Sequence, residues 1–467
     1  MTFDLQHIGH AGFIFSHGRV TLLMDPWFYP AWFEAWAPYP DNSQFACDAV
    51  NRPNWVYVSH HHPDHWDARF LDGLERDIQV ICPKYRSRRM ERLWKGLGFT
   101  RVRALSHGES LNLDSKVKVT MLLDRGYRED SALLIEAGGK RFLNQNDCEL
   151  ASPDIPQADI LAAQYAPASW YPHCYAYDDA VYNRKAEEMR NTVFNRIRHY
   201  LHVSKATTYI PSAGPACFPD PALRQFNAGE PRGKVFWEWT AKDSDYLSTT
   251  GVGTGSFNSR YPDSPGAYLD RLWENPLWRA YYDRDSTPAT VSELDEHFRK
   301  LCRNNSYLLK NYQRGIAVDQ DGTWAVNLAV VAGELEEAPD PTYWIKVPNR
   351  VMRAILNGTE TWEIALTSWR CTLKRDPDVY DSTLMTLINF GDEPAITRAY
   401  KQGTEANEMI NHHGVTHQRW CPHAGEDLTY ATVKDGKITC PRHEWCWDAE
   451  TGECLSGGDI PLKVNND

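Results

Sequence analysis

The sequence predicts a layered α/β domain, then a small α+β unit, then a small all-β domain that carries metal ligands. Three observations predict this. Short strand-like runs with helices between them fill about the first 215 residues. A helical stretch resumes at Val291, followed by strands and a further helix. The last segment is short and rich in His, Cys, Gly and Trp.

In chain order, "FDLQHI", "GFIFS" and "VTLLMD" alternate as short strands, with the turn "HGR" between the last two. "NWVYVS" and "DIQVICP" are further strands, and "SRRMERLWKGLG" is a helix closed by Gly98. "KVKVTMLLD" alternates, and "SALLIEAGGKRFLNQND" is a hairpin turning at Gly138-Gly139. "DILAAQY" is a short apolar strand, and Met189, Val193, Ile197 and Leu201 mark a helix over 184–202. "TTYIPSAGP" is a strand that ends in a loop. From Phe218 to about Pro288 the pattern breaks down into a loop-rich wrapping. "SELDEHFRKLCRNNSYLLKN", "GIAVDQ", "TWAVNLAVVAG", "TYWIKVP" and "NRVMRAILNG" then build a small α+β unit ending near Asp392. "GDEPAIT" opens a linker, and "NHHGVTH", with His412, His413 and His417, reads as its solvated continuation.

A chain of 467 residues is long enough for two to four domains. The boundaries expected are 1–218 for the layered domain, 219–290 for the wrapping, 291–398 for the α+β unit and 399–467 for the last domain. The net charge of −12 argues against a nucleic-acid partner. No run approaches the roughly 18 apolar residues of a membrane helix, and the N-terminus lacks a signal-peptide pattern. Seven of the eleven cysteines are scattered singly, which suggests a reducing, cytoplasmic setting. The other four, Cys421, Cys440, Cys446 and Cys454, lie close together.

Two constellations carry chemistry. The first is "SHHHPDHWD", which offers His60, His62, Asp64 and His65 directly after a strand. Imidazole suits intermediate metals and carboxylate harder ones, so a tight loop of this kind can serve two adjacent metal positions. His61 falls outside the pattern and reads as structural. These residues resemble the metallo-β-lactamase superfamily, whose H-x-H-x-D-H loop lies in an αββα sandwich; the resemblance covers about Met1 to Phe218. It implies that Asp25 in "LLMDPW" is an early strand-end carboxylate and that Asp147 in "FLNQND" bridges two metals. Two histidines usual in hydrolytic members are missing. One window reads "DRGYREDS", with Asp124, Glu129 and Asp130, and the other "PSAGPACF". The resemblance leaves His60, His62 and Asp147 at one position, and Asp64, His65 and a shared Asp147 at the other. Two imidazoles and a carboxylate form a set that leaves open positions on non-haem iron. One or two irons would fit. His10 in "IGHAGF" should lie near the ligands, as a structural or supporting histidine and the one catalytic candidate named. The aromatic stretches "DPWFYPAWFEAWAPYP" and "ASWYPHCYAY" should leave the sheets at the same edge, as a pocket wall or as a plug.

The second constellation is Cys421-x-His423 and, after sixteen intervening residues, Cys440-x-x-His443. Such pairs can hold zinc, but Pro422, Pro441, Gly425 and the turn "DGK" between them suit a Rieske [2Fe–2S] cluster, two cysteines on one iron and two histidines on the other. The segment from about Trp420 to Val464 resembles the Rieske domains of oxygenase systems, and Cys446 and Cys454 then read as buried thiols. "NRVMRAILNGTETWEIALTSWRC" gives the α+β unit a resemblance to sterol-carrier-type domains.

A Rieske domain beside a metallo-β-lactamase-like domain resembles the CMP-N-acetylneuraminate hydroxylases, in which the Rieske part comes first, whereas here it comes last. The resemblance implies an iron-dependent hydroxylase or monooxygenase acting with O2 on a small polar substrate. Rival readings are a metallo-β-lactamase-type hydrolase with a structural or regulatory Rieske part, and a redox carrier without catalysis. No G-x-G-x-x-G follows a strand, so electrons must come from an external reductase, ferredoxin or cytochrome. A homo-oligomer is left open.

Overall fold

The alternating runs of the first third fold into two six-stranded sheets. A computed structural model describes the chain except for residues 1–2, 125–127, 167–168, 234–264, 311, 313, 321–322, 331–334, 338–339, 405–407, 424–425, 442–443 and 466–467. The strands of this part of the chain are β1 (Asp4–Gly9), β2 (Gly12–His17), β3 (Val20–Met24), β4 (Ala37–Pro38), β5 (Trp55–Tyr57), β6 (Gln79–Pro83), β7 (Val102–Leu105), β8 (Ser110–Asn112), β9 (Val117–Leu123), β10 (Ser131–Ala137), β11 (Lys140–Asn146), β12 (Ile160–Gln164), β13 (Thr208–Ser212) and β14 (Ala216–Cys217). One sheet runs β1-β2-β3-β5-β6-β7 and the other β13-β12-β11-β10-β9-β8, while β4 pairs β14 separately. Phe13, Leu22 and Tyr57 from the first sheet share one buried cluster with Val119, Leu133, Phe142 and Ala162 from the second. The outer face of the first sheet buries Val56 and Val80 against Phe70, Leu71, Met90 and Trp94 of its helices. Parallel neighbours need a crossover, usually a helix. Ala46–Asn51, Ala68–Asp72 and Arg89–Gly96 lie between β3, β5, β6 and β7, and Asp179–Ser204 lies between β12 and β13. This is the αββα sandwich that the resemblance implies.

Contacts divide the chain into two units, Met1–Ala168 with Asn183–Trp278, and Ser169–Tyr182 with Arg279–Asp467. In the first, the extension contributes a helix, Gly266–Glu274, whose Leu269 packs with Trp278 on Ala37 and Cys217. The extension therefore joins an existing surface. The "WYPHCYAY" stretch belongs to the second unit, although it follows β12 in sequence.

The second unit holds the α+β part. Its sheet runs β17-β16-β15-β18-β19, from β15 (Arg314–Gln320), β16 (Thr323–Val330), β17 (Leu335–Glu337), β18 (Tyr343–Val347) and β19 (Thr372–Arg375). The helix Val291–Asn304 opens with a capping box in which Thr290 and Glu293 bond each other's backbone. The Arg353 guanidinium also bonds the Glu293 carboxylate, at 2.7 Å. Arg353, then the Thr290 backbone and side chain, pull the Glu293 carboxyl from its ordinary 4.5 to about 2. A depressed acid stabilises the fold above its ordinary value and loses that contribution as pH falls toward the depressed one. Glu293→Gln is therefore expected to melt at a temperature less dependent on pH between 4.5 and about 2 than the unaltered chain does. Parallel acid limbs in calorimetry would contradict this.

Two expectations fail here. The linker expected from "GDEPAIT" is a helix, Pro394–Thr404. Proline is favoured at a helix start, and Ile396 and Tyr400, four residues apart, are buried. The "NHHGVTH" stretch is a hairpin, not a solvated linker: β20 (Met409–His412) pairs β21 (Val415–Gln418), which pairs β25 (Val464–Asn465). His413 and Gly414 take left-handed conformations that make the turn, and His417 is buried. The C-terminal domain thus has its own base. Its second sheet is β22 (Thr432–Lys434), β23 (Lys437–Thr439) and β24 (Cys446–Asp448). Among the described residues no helix is long and apolar enough to cross a membrane.

Candidate metal centre

Parallel strands β3, β5 and β6 end on one edge, and the residues after β5 form the histidine loop there. Ser59 pins it: its N–H donates to Asp25 Oδ1 at 2.7 Å, and its carbonyl accepts from the Tyr85 hydroxyl at 2.5 Å and the Ser131 hydroxyl at 2.7 Å. The N–H groups of His65 and Trp66 both donate to His62 O, at 2.9 and 2.6 Å, which folds the loop over Pro63. Asp67 closes it by capping the helix Ala68–Asp72 at Phe70 N, a bond of the kind worth about 1 kcal/mol. Its other oxygen accepts from Phe28 and Tyr29 at 2.8 and 2.9 Å, which ties the aromatic loop to the histidine loop.

Within the sandwich, two groups of three side chains hold ligand atoms within 4.8 Å of one another: His60, His65 and Asp147, and His10, Asp64 and His65. Of the expected ligands, His60, Asp64, His65 and Asp147 enter these groups in a different grouping, and His62 enters neither. The fold over Pro63 sets the His60 and His65 ring centroids 4.2 Å apart, so His65 enters both groups. His62 Nδ1 lies 2.9 Å from His60 Nε2. His10 Nε2 lies 3.1 Å from Asp64 Oδ2, and the His10 ring stands edge-on to His65 at 5.5 Å. Asp147 projects from the end of β11, where Asn146 adopts a left-handed φ of 43° and the register with β12 slips. Gln164 Nε2 donates to its Oδ2 at 3.3 Å.

The electrostatics fit a bound cation. Buried His10 Nδ1, Asp25 Oδ2, Asp64 Oδ1, His65 Nε2 and Asp147 Oδ1 make no hydrogen bond. His65 Nε2 and Asp147 Oδ1 are 3.3 Å apart, and His65 Nδ1 is 3.7 Å from Asp25 Oδ1. Burial alone lowers the His65 imidazole, but Asp147 and Asp25 outweigh it and hold it well above its ordinary value. Burial, with His65 and His62 beside it, pushes His60 well below. Burial raises Asp64, yet the His10 hydrogen bond and the nearby imidazoles carry it down. Burial, then the Asp147 charge, pushes Asp130 well above the carboxylate range. Several buried carboxyls and imidazoles with orphaned ligand atoms are what a metal ion would satisfy.

Asp130, in the window that lacks the usual histidine, has no role assigned by the sequence pattern; its only signal there is the carboxylate itself, next to Ser131. Its Oδ1 lies 3.3 Å from His60 Nδ1, and Ser59 Oγ lies 2.9 Å from the same nitrogen. Both contacts fall on Nδ1 and leave Nε2 as the candidate ligand atom, the arrangement usual behind a metal-bound histidine. Asp130→Asn is expected to weaken metal retention by about 10- to 100-fold, as measured by metal titration. Unchanged affinity would refute the orienting role. At the other vacant histidine position, Ala213 turns the chain at a left-handed φ of 50° and its N–H donates to His10 O at 3.0 Å. Gly214 follows where a Cβ would meet the Ala166 Cβ at 2.9 Å.

The aromatic loop after Asp25 is both wall and plug. Trp27 and Trp32 are buried, yet the Trp27 ring lies 4.8 Å from His10 and the Trp32 ring 4.9 Å from His62. Trp32, Phe33 and Glu34 all take φ of 54°, a left-handed run closed by the pairing of Ala31 with Trp36.

In the C-terminal domain, two loops repeat one device. Cys421 N donates to Glu426 O and Cys440 N to Trp445 O, each at 2.8 Å, so each buried cysteine opens a loop closed five residues on. The His423 ring stacks on Trp445 at 4.2 Å and 12°, joining the loops. His443 and Gly425 lie outside the described residues. Cys446 and Cys454 are half-buried free thiols, more exposed than expected.

Residues 390–462 match the Rieske [2Fe-2S] domain, and residues 4–143 match the Beta-lactamase superfamily domain. The chain joins a metallo-β-lactamase-type domain to a Rieske domain. The Rieske domain implies a [2Fe–2S] cluster, and the sandwich offers candidate metal-binding groups. A protein of Mycolicibacterium smegmatis, provisionally named a Rieske 2Fe-2S iron-sulfur protein, is 26% identical over 97% of this chain and 98% of its own length. The cytidine monophosphate-N-acetylneuraminic acid hydroxylase of Danio rerio is 24% identical over 45% of this chain and 38% of its own. Among solved structures, CmlA, a diiron beta-hydroxylase from Streptomyces venezuelae, is 19% identical with a TM-score of 0.34, over 52% of this chain and 50% of its own.

Proposed function

We propose that the chain is an oxygenase: electrons reaching the Rieske cluster from an external reductase, ferredoxin or cytochrome are spent with O2 at a non-haem iron site in the sandwich, oxidising a small polar molecule. One observation carries this reading. A one-electron carrier shares a chain with a buried imidazole–carboxylate site, and a hydrolytic site consumes no electrons. The hydroxylase relative supports the reaction type.

In this reading His60, His62, Asp64, His65 and Asp147 hold the metal, one ion or two, with His10 beside Asp64. Iron bound there would supply the redox-active Lewis acid for O2 chemistry. Asp130 and Ser59 fix His60 through Nδ1, and Asp25 does the same for the loop through Ser59 N. Asp64, held ionised by His10, keeps a negative charge at the second group. Trp27 and Trp32 exclude water from the His10 and His62 sides.

The test is iron and sulfide quantitation on anaerobically purified protein, with EPR of the reduced form. Iron in excess of the cluster, followed by incorporation of labelled O2 in the presence of a reductase, is expected. Zinc in the sandwich, with product formed at full rate without O2 or reductant, would make the protein a hydrolase. An intact cluster with no sandwich metal would make it a carrier.

A further inference from the structure

Aromatic rings in the second unit form a file. His423 stacks on Trp445 at 4.2 Å, Trp445 meets Tyr380 edge-on at 6.4 Å, Tyr380 stacks with Trp170 at 6.3 Å, and Trp170 stacks with Tyr175 at 6.2 Å. These are ordinary separations for interacting rings, but the arrangement is not that of a core. Trp445, Tyr380 and Trp170 are half-buried, and each ring meets the next. The file starts on a residue of the cluster loop. It ends in Ser169–Tyr182, the stretch that follows β12, and Trp170 is six residues along the chain from Gln164, which bonds Asp147.

The file is held rigidly. Tyr380 N donates to Gly457 O at 3.0 Å, and Ser382 N and Oγ donate to Asp459 Oδ1 at 3.0 and 2.8 Å, clamping the loop behind Trp445. Position 458 must be glycine, because a Cβ there would fall 2.2 Å from the Trp445 ring. At the far end the Arg375 guanidinium lies 4.8 Å over the Tyr175 ring. A cation there disfavours removing an electron from the ring.

We propose that Trp445, Tyr380, Trp170 and Tyr175 form an electron path leading from the cluster ligand His423 into the Ser169–Tyr182 segment. The proposal rests on the oxygenase reading above. Each passage oxidises the reduced cluster by one electron and reduces the acceptor, the oxidised metal centre of the sandwich, by one electron. No bond is made or broken in the file. Two passages, with two protons from solvent, match the needs of one O2, of which one oxygen atom enters the substrate and the other leaves as water.

The experiment uses the full chain loaded with iron. Its cluster is reduced anaerobically with dithionite, the protein is mixed with O2, and re-oxidation is followed in the visible. The EPR spectrum and midpoint potential of the cluster are recorded for each variant. Tyr380→Leu and Trp170→Leu, neither of which touches His423, are expected to slow re-oxidation by about tenfold or more, a barrier change of about 1.4 kcal/mol, with spectrum and potential unchanged. Tyr380→Phe keeps the ring and should restore the rate. Wild-type rates in both leucine variants would overturn the path, as would equal slowing in Tyr380→Phe. If Tyr380→Leu fails to fold, Trp170→Leu decides. A rate that is the same in unaltered chain and in His65→Ala would instead overturn the oxygenase reading.

Discussion

His65→Ala is expected to empty the sandwich of metal while leaving the Rieske cluster intact. His65 is the side chain common to both metal-capable groups, it is fully buried, and its Nε2 faces Asp147 across 3.3 Å. Truncation removes one candidate ligand from each group and leaves the carboxylates of Asp147 and Asp64 without the imidazole that neighbours both. Loss of a residue that merely orients a ligand costs about 10- to 100-fold in metal affinity. Loss of a ligand shared by both groups should exceed that. The measurement is iron per chain, with the EPR signal of the cluster as internal standard. A variant that keeps all its iron and still oxidises substrate would remove His65 from the site, and the assignment of the sandwich centre with it.

Cys440→Ser should do the converse, bleaching the visible spectrum of the cluster and abolishing turnover while iron remains in the sandwich. Cys440 is fully buried, and its N–H fixes the loop that also carries Trp445. Thiolate is the soft ligand that iron–sulfur clusters require, and a serine oxygen is a poor replacement. Cys446→Ser supplies the control: that thiol is half-buried, accepts a bond from the Thr439 hydroxyl at 3.6 Å and should be dispensable for colour. Full colour in Cys440→Ser would remove that residue from the cluster.

Much of this was legible because strand alternation and ligand spacing are local properties. The strands around Phe13, Val119 and Ile135 and the order of His60, His62, Asp64 and His65 needed no tertiary information. What was missed depends on contacts distant in sequence. Asp130 gains its meaning only where β10 begins beside Ser59, 71 positions before it. The sharing of His65 follows from the fold over Pro63, which spacing alone does not give. The helix at Pro394 was hidden behind "GDEP", a run that looks like a turn and ends on a residue that also starts helices. The hairpin at Met409 was hidden by polar residues, and its burial of His417 comes from pairing with Val464 near the C-terminus. Nor does any local pattern say that Trp170 packs with residues two hundred positions later.

The left-handed run at Trp32, Phe33 and Glu34 gives the wall beside His62 an unusual mechanical character. Each such residue costs about 1–2 kcal/mol relative to the right-handed form, and burial of the Trp32 and Phe33 rings offsets it. A segment strained at three successive joints and latched by two rings behaves as a sprung catch. Trimming Phe33 should not shift the wall slightly; it should let the turn unwind as a whole, and Trp32 would swing off His62 in the same event. Damage to this side of the site is then expected to move the Trp32 wall together with the turn, not separately from it.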